Sequence, residues 1–490
     1  MLLRELIRSF DSRIDLAQLP NAPLAGVKED SRQILPGDLF VARSGTRADG
    51  SAFLADARRR GAIAAVVRSV DDHCPLPQIV TGDTAAAASR LANLFYSRPS
   101  TSLQVLGITG TNGKTTTAYL TRHVLRKAGL NCGMIGTVQI DDGRNQGEAE
   151  MTTPSATDIA RLLATMRDNG CSACAMEVSS HALDQGRVAA VDFAGAVFTN
   201  LTGDHLDYHK TLENYAAAKA KLFESLPASA VAMVNEADAS TPRMVRDCRA
   251  RIVRFGFSPA ADYRAENVRI DASGTRFMLR TCNGSVAVSM GLIGKHNVEN
   301  ALGAAALAGE VMGISLGRIA AALGDAAGAP GRLQAVRAGQ PFAVLIDYAH
   351  TDDALANVLS ALRPLTRGKL RVLFGCGGDR DKTKRPRMAA VAQKMADVVY
   401  VTSDNPRTEM PLAIITDIVA GFTPDFVPRA IVEPDRRTAI ERILADAKND
   451  DVVLIAGKGH ENYQILGTVK HHFDDVEESL RVLGSPRRAA

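Results

Sequence analysis

The chain has 490 residues, of which 46% are hydrophobic and 23% charged, with a formal net charge of +4. That length exceeds one ordinary core and predicts about three domains of a globular protein. The weak charge argues neither for nor against a nucleic-acid partner, no basic run interleaved with aromatics suggests one, so none is expected, and no stretch approaches the roughly 20 apolar residues of a membrane span.

In chain order, residues 1–10 set Leu3, Leu6, Ile7 and Phe10 on one helical face, the pattern of a surface helix and not of a secretory signal. Apolar runs at 38–42, 61–67 and 77–80 predict strands of a small N-terminal α/β domain, 1–98, with polar turns at 30–32 and 44–50. Arg98, Pro99 and Ser100 read as a linker.

The second domain, 99–329, opens with an apolar strand at 103–108 that breaks into Gly107, Gly110 and Gly113, followed by Lys114, Thr115 and Thr116. A helix over 116–128 then puts Leu120, Val124 and Ala128 on one face and stops at Gly129. Strand, glycine turn, Lys-Thr and helix form a phosphate-binding loop, in which bare backbone N–H groups and the helix N-terminus favour an anion. Lys114 can reach terminal phosphates and the Thr115 hydroxyl can ligate Mg²⁺. Five residues separate Gly107 from Gly113 where the common pattern has four. A nucleoside triphosphate site is expected.

Further strands at 173–178, 194–198 and 230–234 alternate with helical segments, which predicts a mostly parallel sheet. Polar clusters follow two of them, 177–181 and 199–209, at the strand ends where such sheets carry function. Glu177 is the best-placed carboxylate for Mg²⁺. His205, Asp207 and His209 have a spacing that also suits zinc, but their place on a polar turn beside a nucleotide loop favours the first reading. Cys171 and Cys174 form a lone CxxC ahead of an apolar strand, which reads as packing and not redox chemistry. Seven scattered cysteines suggest reduced thiols and a cytoplasmic location.

After a linker at 329–331, the third domain, 330–490, has apolar strands at 342–348, 370–375, 397–402, 430–433 and 451–456. Helical segments at 352–364, 384–395, 411–421 and 435–448 separate them, which is a Rossmann-like, doubly wound pattern. Its glycine-rich loop, 375–381, lacks the dinucleotide fingerprint. Arginines and acids at the strand ends, Arg380, Asp404, Arg407 and Glu461 among them, suit a zwitterionic ligand.

The motifs TGTNGKTT (109–116), MEVSSHALDQGRV (176–188), FTNLTGDHLDYH (198–209), YAAAKAKLF (215–223), GKHNVENALGAAA (294–306), DYAHT (347–351) and FGCGGDRDKTKRP (374–386) resemble those of the Mur ligases of peptidoglycan synthesis. Their order is similar to that of the members that add the third residue of the peptide. The resemblance covers nearly the whole chain and implies an ATP- and Mg²⁺-dependent amide ligase, a monomer, acting on UDP-MurNAc-L-Ala-D-Glu through an acyl phosphate. It implies that Ser31, Thr46, Arg47 and Ala48 meet the uridine nucleotide, and that Thr152, Thr153, Ser179, Gln185 and Arg187 meet the acyl substrate. Gly110, Thr111, Asn112, Gly113, Lys114, Thr115 and Thr116 would bind ATP, with Asn297, Asn300, Arg332 and Asp347. Thr115, Glu177 and His205 would hold Mg²⁺, and Lys219 would carry a CO₂-derived carbamate for a second ion. Lys114, Lys219 and His205 form the implied catalytic set. Arg380, Asp404, Asn405, Pro406, Arg407, Gly457 and Glu461 would bind the incoming amino acid.

The DNPR stretch, 404–407, resembles that of members adding meso-diaminopimelate, whereas lysine-adding members lack the arginine. A guanidinium there offers a two-pronged partner to the carboxylate that lysine does not have. Two residues depart from the family pattern: Asp352, where proline is usual, and Gln334, where glutamate is usual. The alternatives are the same ligase with L-lysine or another diamino acid, and a nucleotide-dependent switch protein. The switch leaves the cluster of Arg380, Arg407 and Glu461 without a purpose.

Overall fold

The apolar runs pair as strands, and the computed structural model describes residues 1–45, 49–271 and 274–484. Thr46, Arg47 and Ala48, expected to meet the uridine nucleotide, lie outside the described residues. The chain divides into two compact units, the first of residues 1–266, 278–286 and 299–323 and the second of residues 267–277, 287–298 and 324–490.

The first unit opens with a four-stranded parallel sheet, Val27–Lys28, Leu39–Val41, Ala64–Val67 and Gln78–Val80 in spatial order. The helix Leu3–Phe10 buries Leu3, Leu6, Ile7 and Phe10, the face set by their spacing. Asp83 caps the helix Thr84–Phe95 by accepting from the Ala85 and Ala86 N–H groups. The stretch expected as a linker is packed instead: Pro99–Thr101 is a 3₁₀ turn, and the buried Ser100 donates to Asp192 at 3.1 Å. Proline and serine there serve a turn that hydrogen-bonds to the neighbouring sheet region.

The large sheet has eleven strands. Its centre is parallel, with Gln104–Thr109 between Ala173–Glu177 and Phe193–Phe198, and Val231–Asn235 and Arg251–Gly256 beyond the latter. Cys132–Ile135 lies beside Ala173–Glu177 on the other side. Three long strands that the apolar runs did not reveal, Tyr263–Asp271, Gly274–Thr281 and Gly284–Met290, extend one edge. Their burial alternates with exposed or half-buried positions, so polar residues such as Arg264 and Glu266 interrupt the apolar pattern.

The second unit's sheet follows the order Gln334–Val336, Ala343–Asp347, Val452–Ala456, Leu370–Phe374, Val398–Val401 and Ile431–Val432. Only the first pair is antiparallel. The helices Asp352–Leu362, Lys384–Met395, Pro411–Val419 and Arg436–Ala445 separate the strands as expected. A hairpin, Tyr463–Leu466 with Val469–His472, escaped the sequence pattern because its second strand is exposed along its length. Among the described residues no helix is long and apolar enough to cross a membrane.

One ion pair anchors the strand ends of this unit. Arg436 and Asp475 are both fully buried and share two bonds, at 2.8 and 2.7 Å. Arg436 also donates to the carbonyls of Ala456 and Ser403, next to the loops described below. Asp475→Asn leaves a buried guanidinium without its anion, so it is expected to cost about 3–5 kcal/mol. Denaturant unfolding checks this, and a loss below about 1 kcal/mol contradicts it.

Candidate active site

Register brings the polar loops together. Ile108 pairs with Glu177 and Thr109 with Phe198, so the loops after three adjacent parallel strands begin level with one another. Gly110 has φ +151°, and a Cβ there would stand 1.9 Å from Thr199 Oγ1. Gly113 has φ +85°, with Asn300 Oδ1 2.3 Å from where its Cβ would be. Both positions require glycine. The helix Lys114–Lys127 starts directly after Gly113, two residues earlier than its apolar spacing suggests. Lys114 and Thr115 therefore sit in a first turn whose N–H groups lack intrahelical partners.

The loop is braced from the next strand end. Asn200 accepts from the Thr111 N–H at its carbonyl (2.8 Å) and from the Asn112 N–H at Oδ1 (3.0 Å), while Thr199 Oγ1 donates to Asn112 O at 2.6 Å. Tyr215 OH lies 3.2 Å from Thr111 Oγ1. Sequence reasoning set Thr199 and Asn200 at a strand end but gave neither them nor Tyr215 a site role. The signal was available in the polar TN pair that closes an apolar strand.

Two ammonium groups converge on one carbonyl. Lys114 Nζ donates to Gly110 O (2.9 Å) and Thr111 O (2.8 Å), and Lys219 Nζ donates to the same Gly110 O at 2.8 Å. Lys219 comes from the helix Leu212–Glu224, is 1% exposed, and places Nζ 4.4 Å from the Tyr215 ring centroid. Burial, and then the charge of Lys114, hold its pKa well below the usual lysine range. Burial also pushes the Tyr215 phenol up to about 12. The site thus favours an uncharged amine at position 219.

Glu177 is fully buried. Its Oε1 accepts from the Thr137 N–H (2.8 Å), and its Oε2 accepts from Thr115 Oγ1 (2.9 Å) and Thr137 Oγ1 (3.0 Å). A Cβ on Gly136 would lie 2.4 Å from Oε1. These converging hard oxygen donors fit Mg²⁺. His205 has φ +54° and a half-exposed side chain whose ring lies 4.9 Å from that of His181. His209 is buried with Nε2 2.9 Å from Ser180 Oγ, and burial lowers its pKa, which gives it a structural place.

Residues expected at the acyl substrate form one network. Thr153 Oγ1 donates to Glu177 O (2.8 Å) and accepts from the Ser179 N–H (3.0 Å), and Thr152 Oγ1 is 3.0 Å from Thr137 Oγ1. Ser179 caps the helix Ser180–Asp184. Arg187 donates to Thr153 O and Gln185 Oε1, each at 2.7 Å. Arg43, absent from the sequence reading, donates to Gln185 O at 3.0 Å and pairs with Glu29. Ser31 is buried in the turn Ser31–Gln33. Of the two asparagines on the helix Lys295–Glu310, Asn300 Oδ1 accepts from Thr117 Oγ1 at 3.4 Å and Asn297 Nδ2 donates to Ile293 O at 2.9 Å.

In the second unit, Asp347 accepts from the Leu333 and Ala349 N–H groups, each at 2.8 Å, and burial raises its pKa. Arg332 Cζ lies 5.0 Å from the Tyr348 ring centroid. Gln334 Oε1 accepts from the Gly331 N–H at 2.8 Å, and Asp352 starts the helix Asp352–Leu362 while pairing with Arg387. Both departures from the family pattern therefore have local partners.

The loops after the strands of this unit form a second polar cluster. Asp404, Asn405 and Pro406 are buried, and Asn405 Nδ2 donates to Glu461 Oε2 at 2.7 Å. Arg407 has φ +52° and donates from Nη1 to Gly378 O at 2.9 Å. Arg380 is exposed on the glycine-rich loop. Gly457 has φ +113°, and Asp404 Oδ2 would lie 3.0 Å from its Cβ. Lys458, in a loop whose polar residues the sequence shows but with no role assigned to it, is fully buried with Nζ 3.3 Å from Glu461 and 3.7 Å from Asp404. It balances the buried Asp404 carboxylate and the half-buried Glu461 carboxylate, and a charged residue between two glycines was the visible signal.

Residues 23–96 match the family model described as "Mur ligase family, catalytic domain", 108–308 match "Mur ligase middle domain", and 331–459 match "Mur ligase, glutamate ligase domain". The chain is 45% identical to the UDP-N-acetylmuramoyl-L-alanyl-D-glutamate–2,6-diaminopimelate ligase of Gloeobacter violaceus, over 99% of both chains. It is 43% identical to the ligase of that name from Bacillus cereus, over 93% of both. A solved structure of a ligase with this name has a TM-score of 0.71 and 34% identity, covering 99% of each chain. A folylpolyglutamate synthase from Mycobacterium tuberculosis, solved with ADP and AMPPCP, has a TM-score of 0.61 at 19% identity, covering 82% of this chain and 95% of its own, and shares the fold. With three family segments in order along the chain and full-length relatives at this identity, the protein belongs to the Mur ligase family.

Proposed function

We propose that this protein is the ATP-dependent ligase that joins meso-2,6-diaminopimelate to the D-glutamyl γ-carboxylate of UDP-MurNAc-L-Ala-D-Glu in peptidoglycan precursor synthesis. The observation that carries the acceptor is Arg407, in a loop with Asp404 and Asn405, in a chain 45% identical to a relative named for diaminopimelate. On this reading residues 1–98 hold the uridine nucleotide, 99–329 bind ATP and 330–490 bind the amino acid. The enzyme works as a monomer in the cytoplasm.

A carboxylate and an amine do not condense in neutral water, so the carboxylate is activated first. The substrate's γ-carboxylate attacks the ATP γ-phosphate, giving an acyl phosphate and ADP. The acceptor amine then attacks the acyl carbon, and phosphate leaves as the nitrogen loses a proton. Gly110 to Thr116 cradle the phosphates, and Lys114 stabilises charge on the transferring group. Asn297, Asn300, Arg332 and Asp347 are assigned to ATP. Thr115, Glu177 and His205 would hold Mg²⁺, which would supply neutralisation of phosphate charge. Lys219 is assigned a carbamate, and the support is its burial and lowered pKa, since only a neutral amine adds CO₂. Ser31 with Thr46, Arg47 and Ala48 is assigned to the nucleotide, and Thr152, Thr153, Ser179, Gln185 and Arg187 to the acyl chain. Arg380 and Arg407 clamp the acceptor's distal carboxylate, while Asp404 and Glu461 hold its ammonium.

The test is phosphate release with ATP, Mg²⁺ and UDP-MurNAc-L-Ala-D-Glu, comparing meso-diaminopimelate with L-lysine and weighing the product. Tripeptide formed with diaminopimelate alone is expected. Turnover with lysine instead keeps the ligase and discards the role of Arg407, and turnover with neither overturns the reading.

A further inference from the structure

The loop carrying Arg407 is tied to the glycine-rich loop of the neighbouring strand. Gly378 N–H donates to Asn405 O, and Arg407 Nη1 donates back to Gly378 O, both at 2.9 Å. A Cβ on Gly378 would lie 1.9 Å from Pro406 O, so the loops touch backbone to backbone. Thr408 Oγ1 donates to the Asp379 carboxylate at 2.8 Å. Asp379 and Arg407 have φ +55° and +52°, a region that residues with a Cβ rarely occupy. Some neighbouring contact must hold that backbone.

Arg385 supplies it. Its side chain is fully buried and grips Glu409 with two prongs, Nη2 to Oε1 at 2.9 Å and Nη1 to Oε2 at 3.0 Å. The same guanidinium donates to Asp417 (2.9 Å) and to Gly377 O (3.2 Å). Glu409 Oε1 also accepts from the Asp379 N–H at 2.7 Å, and Lys382 lies 3.3 Å from Oε2. Glu409 therefore bonds the glycine-rich loop on one side and follows Arg407 by two residues on the other. The Arg385 guanidinium holds its carboxyl down at about 2, so the pair stays charged at any physiological pH.

We infer that the Arg385–Glu409 pair is a positioning device for acceptor choice, holding the loop backbone that presents Arg407 to the acceptor's distal carboxylate. Neither residue touches the acceptor in this scheme. The inference rests on the proposed function, in that it takes meso-diaminopimelate as the acceptor.

Wild-type enzyme is first assayed with meso-diaminopimelate and with L-lysine, which tests the acceptor separately from the pair. Preference for lysine would overturn the acceptor assignment and this inference with it. With diaminopimelate preferred, Glu409→Gln is expected to raise KM for that substrate at least tenfold, with KM for ATP and for the UDP-dipeptide within twofold. In an Arg407→Ala background the same substitution is expected to change kcat/KM less than threefold, because the group it positions has already gone. Thr408→Val, which removes an exposed strap of the same loop, gives a smaller rise in the same direction and serves if Glu409→Gln does not fold. Equal losses in both backgrounds, a parallel rise in all three KM values, or no change in any would each overturn the positioning role.

Discussion

Lys219→Ala is expected to lower turnover by about 10²–10³-fold, the usual cost of removing one preorganised electrostatic group from a polar transition state. ATP affinity, measured by nucleotide titration, stays within about threefold, because Lys114 and the loop glycines remain. Burial is the cause: Lys219 is 1% exposed, donates to Gly110 O, and has another lysine ammonium on the same carbonyl. No charge is comfortable there, and the depressed pKa makes the neutral amine available for CO₂. At limiting bicarbonate, activity should therefore rise with pH and level off below the usual lysine value of ~10.4. The same shift bears on stability. The unfolded chain keeps the Lys219 proton up to ~10.4 while the folded chain releases it earlier, so this group's contribution to stability rises with pH across that window. Lys219→Met should abolish that slope. Full turnover in Lys219→Ala, or no uptake of isotope-labelled bicarbonate by the wild type, discards the carbamate.

Arg407→Ala is expected to lower kcat/KM for meso-diaminopimelate by about 10²-fold, since a two-pronged bond to a carboxylate is worth about 2–3 kcal/mol. Any activity with L-lysine, which has no second carboxylate, should change little, so the ratio of the two substrates carries the result. Arg407→Lys should recover only part of the loss, because a point charge does not reproduce the planar fork. The structure adds a second reason for sensitivity at this position. Arg407 also bonds Gly378 O and, through its backbone, Ile465 and Gly467 on the hairpin. A uniform loss with both acceptors would assign Arg407 to loop structure alone.

Both experiments concern residues visible in the sequence, yet the physical reasons for their effects differ in origin. The phosphate loop was legible because glycines, lysine and threonine at a strand–helix junction act through local backbone, which depends on neighbours in the chain. The strands and helices of the second unit were legible to within a few residues for the same reason: buried parallel strands are short apolar runs, and turns separate them. The family motifs then assigned roles along nearly the whole chain. The half-buried strands 263–290 and the hairpin 463–472 were not legible, because one wetted face or two leave no continuous apolar signal.

What the tertiary structure decided was which distant groups share a space. Strand register set Glu177 and the 199–209 loop level with the phosphate loop, and no local pattern encodes register between strands 70 to 90 residues apart. The burial of Lys219 arises because a helix lays it against Gly110 O, while sequence spacing makes it look like any helical lysine. Arg43, Lys458 and the Arg385–Glu409 pair went unassigned because charged residues read as solvated in a sequence, and only packing shows that a charge is buried and what neutralises it. The sequence by itself determined the chemistry of the parts; the fold determined their protonation, their partners and their aim, because desolvation and Coulomb energy depend on distances that the chain sets only once it is folded.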